Sequence, residues 1–476
     1  MTLAAVTAAT GLLVATVAWV PMQADAADSG SSLVGTVLTT ATGSPTGSPT
    51  GSPSPTGTPS PTAPPSPTAS STPTPPKPPK KHWMPEAGVV INNPLGDHDA
   101  RAVIVQRIMA GIRHTHRGDT IRFATYNLDR KDSVNALIKA HKRGVNVQVV
   151  VNDNYMAPQS VRLQKYLGKN IHRGSFLRFC SGSCRAARGN LHLKIYSFSG
   201  TGAAHDVLIS SSANLTNAAP VAQWNDAVTV VGNKRLFKVW TKVFNQLKQD
   251  KPVKHRRITY STKKLNVAFH RLQAGTADPV NHGRTTVARK DTTGDPILAR
   301  LNKISCKTGP NYGVNGHTMI RLMEYAWFGS RGVTLANRIA TLKRQGCDVM
   351  SIMSHSDKRV EGILASAGIP MRDITWAYGE KLSTDGHSIV YGSRQYSHLK
   401  AMTISGRYAG KNMKTVITGS ENWSAISFQN DEVTMQLVGG NFYNTYLHMF
   451  QHQWSTGATH VIGIRPTANA PMETDQ

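Results

Sequence analysis

The chain has 476 residues, 54 Lys and Arg against 27 Asp and Glu, a net charge of +27 and 39% hydrophobic residues. That length supports two or three domains with sizeable cores, and the composition argues against a collagen, a wholly disordered chain or, with no long apolar run after residue 20, an integral membrane protein. Three lysines and two aspartates precede Trp83, which leaves +26 for the remainder, so the folded part carries a field that favours polyanions: nucleic acid, anionic wall polymers or an anionic membrane face.

Residues 3 to 20 are apolar and lead to Ala24-Asp25-Ala26, an A-x-A cleavage pattern, although no Lys or Arg precedes the run. The expectation is a signal peptide over 1–26, with a retained membrane anchor as the competing reading. Residues 27–82 are rich in Ser, Thr, Pro and Gly, with repeats such as Gly43-Ser44-Pro45-Thr46 and Gly47-Ser48-Pro49-Thr50, and predict a disordered spacer that buries no core. The expected location is outside the cell, free or held at the wall.

After Trp83 strand-like and helix-like segments alternate, the pattern of an α/β fold. Thr120–Tyr126 reads as a strand, Ser133–Lys142 as a helix closed by Arg143-Gly144, and Val145–Val151 as a buried strand. Met319–Tyr325, Val333–Lys343, Gly346 and Val349–Met353 repeat that order. Tyr126 and Tyr325 match at an offset of 199, which predicts two similar halves, 83–265 and 266–476. Cys180 and Cys184 suit a tight disulfide loop and Cys306 and Cys347 a longer one; zinc is the alternative, but the spacing is poor for it, and no metal or cofactor is expected.

The repeat also carries the reactive side chains. His192-Leu193-Lys194, Ser212-Ala213-Asn214 and Asn225-Asp226 recur as His398-Leu399-Lys400, Ser420-Glu421-Asn422 and Asn430-Asp431. A single His-x-Lys means little, because residues two apart on a strand share a face in countless proteins. Two copies, each followed by Ser-x-Asn, are much harder to reach by chance. Paired across a pseudo-twofold, two ammonium groups and two amides would surround a phosphate. Two imidazoles would then supply a nucleophile and a proton donor, each steadied by a carboxylate on its far nitrogen. Asp226 and Asp431 are the expected carboxylates, with Glu432 an alternative in the second half.

These residues resemble the phospholipase D superfamily over roughly residues 87 to 465. The resemblance implies tandem α/β halves with the site at their interface and a metal-independent, two-step mechanism through a phosphohistidine. In it His192 would attack, His398 would act as acid and then base, and Lys194, Lys400, Asn214 and Asn422 would bind the phosphoryl oxygens, supported by Ser212 and Ser420. The chain departs from the family motif at Ser199 and Ser405, where the motif has Asp; tyrosyl-DNA phosphodiesterases share that loss.

The reading that follows is a secreted, monomeric phospholipase D that meets anionic surfaces peripherally and cleaves phospholipid headgroup esters. A nucleic-acid phosphodiesterase, favoured by the charge, and an inactive polyanion-binding protein are the alternatives. No convincing apolar loop beside the cleft is legible. Trp327 and Trp423 read as core rather than as stacking platforms. The basic run from Lys251 to Lys264 reads equally as a solvated connector or a polyanion contact.

Overall fold

The repeated strand–helix–strand pattern builds two large sheets. The computed structural model describes residues 83–186, 189–254, 257–270, 294–377 and 394–462. The expected signal peptide and spacer lie outside the described residues, which all belong to one unit beginning at Pro78.

In the first half the strands are β1 (Gly88–Ile91), β2 (Thr120–Thr125), β3 (Asn146–Asn152), β4 (Phe176–Cys180), β5 (Ile195–Thr201), β6 (Ala204–Ser211), β7 (Gln223–Trp224) and β8 (Asp226–Val230). All but β7 form a sheet in the order β1-β8-β6-β5-β2-β3-β4, parallel from β2 to β4 and antiparallel elsewhere. The second half contributes β9 (Ile258–Ser261), β10 (Leu265–His270), β11 (Ile304–Ser305), β12 (Met319–Trp327), β13 (Asp348–Ser356), β14 (Met371–Asp373), β15 (Trp376–Ala377), β16 (Arg394–Ser397), β17 (Lys400–Tyr408), β18 (Lys411–Gly419), β19 (Glu432–Val438) and β20 (His460–Val461). Its central order, β14-β13-β12-β17-β18-β19-β10, repeats that of the first sheet strand for strand. The hairpin β9–β10 spans the expected boundary at 265/266 and adds to the second sheet.

Helices α1 (His98–Arg113), α2 (Lys131–Lys142), α3 (Pro158–Leu167), α4 (Ala218–Ala222) and α5 (Lys234–Leu247) belong to the first half. Helices α6 (Pro296–Leu301), α7 (Gly329–Arg344), α8 (Lys358–Ser366) and α9 (Gly440–Ser455) belong to the second. The sequence reading of α2 and α7 starts two and four residues late, and both helices end within a residue of expectation. Helix α5 shows why such segments form. Asn233 caps it by accepting from the Leu236 amide at 3.0 Å, and Leu236, Phe237, Trp240, Val243, Phe244 and Leu247 recur on one buried face.

Each half has its own apolar core, one around Phe123, Val149 and Leu177, the other around Ile320, Leu335 and Val349. A third core joins the halves, with Leu193, Trp224 and Phe244 from the first packed among Leu399, Val433 and Tyr446 from the second. Burial of these side chains contributes roughly 1.5–3 kcal/mol each. Trp327 and Trp423 are buried edge to face, 4.5 Å between ring centroids, so they are core as expected.

Both expected disulfides form, with Cα separations of 5.1 Å for Cys180–Cys184 and 4.6 Å for Cys306–Cys347, so the cysteines are committed away from zinc. Ser199 and Ser405, in place of the motif Asp, tie backbone instead: their hydroxyls accept from Thr120 N at 2.7 Å and Gly313 N at 3.0 Å. Gly406, at φ +150°, leaves no room for a Cβ against Thr318, which accounts for the glycine after the second serine.

Candidate active site

Both histidines sit just before a central strand, His192 ahead of β5 and His398 ahead of β17, and not within the strands as expected. Each is pinned by the opposite half. His192 N donates to Asp431 O at 3.0 Å, and His398 N donates to Trp224 O at 2.8 Å. The parallel pairing of β16 with β7 continues the second contact. These crossed bonds bring the two His-x-Lys segments face to face at the interface, as the repeat predicts.

The imidazoles and asparagines open into a cleft of about 610 Å³ lined by His192, Asn214, His398 and Asn422 and by residues from both halves. Lys194 and Lys400 lie buried beneath it. Each ammonium donates to the carbonyl of its own histidine, at 2.6 and 2.7 Å. Tyr126 and Tyr325, whose common offset first revealed the repeat, complete the symmetry. Tyr126 meets the His192 ring edge to face at 5.8 Å and Lys194 Nζ at 5.7 Å; Tyr325 does the same for His398 and Lys400 at 4.6 Å each. The sequence reading did not assign the tyrosines to the site, although that offset could have done so.

The imidazole partners correct the expectation. Nδ1 of His192 contacts both oxygens of Glu432, at 2.9 and 3.1 Å. Nδ1 of His398 faces Ser212 O at 3.0 Å and Asn225 Oδ1 at 3.2 Å. Neither Asp226 nor Asp431 holds an imidazole. Asp226 instead accepts from Thr418 and Tyr446 of the second half, at 2.5 and 2.6 Å, and Asp431 is ion-paired with Arg185 of the first half at 2.6 Å. Both aspartates therefore tether one half to the other.

The error lies in register. Ser212 Oγ accepts from Asp226 N and Ser420 Oγ from Val433 N, so the structural offset there is 207, pairing Asn225 with Glu432. Matching Asn-Asp to Asn-Asp slips the alignment by two residues. Ser212 and Ser420, expected to bind substrate, do not line the cleft. They lie fully buried behind the imidazoles, and their hydroxyls donate to Asn225 Oδ1 and Glu432 Oε2 rather than reaching the cleft.

Burial lowers the pKa of both imidazoles. For His192 the Glu432 carboxylate opposes that shift, while for His398 the two lysines deepen it, well below the ordinary value. Burial brings Lys194 down to about 7 and, with the Lys194 charge, pushes Lys400 well below its ordinary value. Each Nδ1 faces only acceptors, so each ring carries its proton there and presents Nε2 as a lone pair. One dyad is thus carboxylate-backed and the other amide-backed, above two cations ready to be restored by an anion.

The family model described as cardiolipin synthase, PLD-like domain, matches residues 108–248. No curated protein matches the chain. Among solved structures, phosphatidylserine synthase from Haemophilus influenzae is 12% identical, with a TM-score of 0.48, over 76% of this chain and 86% of that one. Polyphosphate kinase from Porphyromonas gingivalis is 12% identical, with a TM-score of 0.45, over 82% of this chain and 54% of that one, so the chain spans about half the kinase's length. The phospholipase D family member Nuc from Salmonella typhimurium is 19% identical, with a TM-score of 0.24, over 36% of this chain and 93% of that one. The chain thus carries a PLD-like domain over residues 108–248, and its second half repeats the strand order of the sheet to which that domain belongs.

Proposed function

We propose that the protein is an exported phosphodiester hydrolase that releases phospholipid headgroups through a phosphohistidine on His192. His192 Nε2 attacks phosphorus as the bond to the headgroup oxygen breaks. His398 Nε2, protonated as the phosphate charge enters, gives its proton to that oxygen. The neutral His398 then takes a proton from water, whose oxygen displaces His192 and leaves phosphatidic acid. The role of nucleophile goes to His192 because the phosphorylated ring is cationic and Glu432 stabilises it. His398, lacking a carboxylate, holds its proton loosely, as a proton donor should. Lys194, Lys400, Asn214 and Asn422 are the phosphoryl ligands in this reading.

The observation that carries the lipid reading is apolar surface at the cleft mouth. Tyr155 and Ile426, each 41% exposed, line the cleft, one from each half; Met156, 58% exposed, follows the first in the chain, and Val221, 51% exposed, lies in the chain between the lining residues Ala218 and Gln223. Of the eight exposed large hydrophobics among the described residues, two thus line the cleft and two more lie close to lining residues in the chain, which supports contact with a lipid surface rather than with a solvated polyanion. Two disulfides support the exported location.

The test is one competitive reaction. Purified protein with excess chelator meets mixed phosphatidylcholine/phosphatidylglycerol vesicles and single-stranded DNA together. Phosphatidic acid with intact DNA is the expected result, abolished in His192→Ala and reduced several-fold in the Tyr155→Ser/Ile426→Ser double variant. Shortened DNA with intact lipid would transfer the reading to nucleic acid, which the +26 charge favours. Neither product would indicate a binding protein.

A further inference from the structure

The two phosphate-facing amides are not held alike. Thr125 stands in register with Lys194 and precedes Tyr126; Glu324 pairs with Lys400 and precedes Tyr325. In the first half Asn214 Oδ1 accepts from Thr125 Oγ1 at 3.3 Å and from Asn127 N at 3.2 Å, which fixes the amide with its N–H groups free for the cleft. In the second half the equivalent atom, Asn422 Oδ1, is buried without a hydrogen-bond partner. A buried acceptor left in that state costs about 1–3 kcal/mol, so a donor is expected.

Glu324 is the group in position. Its Oε1 accepts from Trp423 N at 3.3 Å, the residue after Asn422, and it lines a small cavity beneath the cleft together with Lys400, Glu421 and Trp423. We propose that Glu324 is a positioning residue that donates a carboxylic-acid proton to Asn422 Oδ1, doing for that amide what Thr125 does for Asn214. The proposal rests on the phosphodiester reading of the cleft.

The surrounding charges fit a neutral Glu324. From α7, Arg331 is taken up by Asp295 at 2.8 Å and Glu421 at 2.5 Å; from β10, His270 faces Glu421 at 3.4 Å. From β17, Lys400 is turned to the His398 carbonyl. Among the described residues Glu324 forms no ion pair. Burial holds its carboxyl well above the usual range, with Lys400 only partly opposing. A neutral acid supplies the donor below its folded pKa and loses it as pH rises through that value.

Calorimetric titration with inorganic phosphate tests this without requiring turnover. Glu324→Gln keeps a donor at every pH and is expected to bind within about twofold of wild type at the acidic end of the titration, whereas Glu324→Leu should bind about tenfold more weakly. In an Asn422→Ala background the leucine should cost nothing further. Wild-type affinity should fall more steeply with rising pH than that of Glu324→Gln, because only wild type loses its donor on ionising. That slope carries the test even if Glu324→Leu does not fold. A glutamine variant as weak as the leucine, identical pH slopes, or no phosphate binding by wild type would overturn the proposal. Failure of wild type to hydrolyse bis(4-nitrophenyl) phosphate while it binds phosphate as expected would count against the hydrolase reading alone.

Discussion

The two imidazole dyads come from equivalent positions of a duplicated fold, yet one rests on Glu432 and the other on Asn225. A glutamate and a shorter asparagine stand at equivalent positions beside equivalent serine hydroxyls; the asparagine leaves His398 Nδ1 shared with the Ser212 carbonyl, and the exchange removes the negative charge from one dyad. Glu432 thereby opposes the lowering of the His192 pKa, whereas the two lysines deepen that of His398. A symmetric scaffold can divide labour with a single such difference.

The largest expected effect tests the division directly. His192→Ala should lower kcat/KM by at least about 10³-fold and abolish covalent labelling by a ³²P-labelled diester, while His398→Asn should keep the label and slow its release. Equal labelling of both variants would remove the assignment. Glu432→Gln, which makes the dyads alike, should cost about 100-fold in kcat.

A smaller and more informative change runs the other way. His398 must carry a proton to act, its pKa is held low, and Lys194 loses its charge near pH 7, so activity should peak on the acidic side of neutrality and fall above it. Asn225→Asp puts a carboxylate beside His398, raises its pKa and should move the alkaline limb upward by about one pH unit. A pH–rate profile that does not move would show that another group sets the limb.

The two aspartates that leave the chemistry should betray themselves through stability. Asp431→Asn leaves Arg185 buried without its counter-ion and should destabilise by about 3–5 kcal/mol in denaturant melts. The smallest effect concerns acid. Burial alone would raise the Glu421 carboxyl, but Arg331 holds it down to about 2, below its ordinary 4.5. That contribution is present above pH 4.5 and is lost as pH falls toward 2; melts of Glu421→Gln should lack that part of the acid dependence.

The repeat was legible because a duplicated core leaves paired apolar periodicities, and His, Lys and Asn recur at nearly constant offsets. The helices α2 and α7, the strands β2, β3, β12 and β13 and the two disulfides follow from such local signals. The partners of the imidazoles were not legible in the same way. An Asn-Asp match two residues out of register keeps side chains on the same face of a strand, so periodicity cannot reject it. Only the Ser212 and Ser420 hydroxyls, by taking Asp226 N and Val433 N, reveal which residues are equivalent.

Local sequence therefore determined the halves, their cores and the six side chains gathered in and beneath the cleft, because hydrophobic period and repeated spacing act within a short stretch of chain. The tertiary structure alone decided which carboxylate backs an imidazole and which ties the halves together. Glu432 lies 240 residues from His192, Asp431 lies 246 from Arg185 and Asp226 lies 220 from Tyr446. Charges so far apart in the chain acquire meaning only when packing brings them together and excludes water, since desolvation and proximity, not residue type, set what a buried carboxylate does.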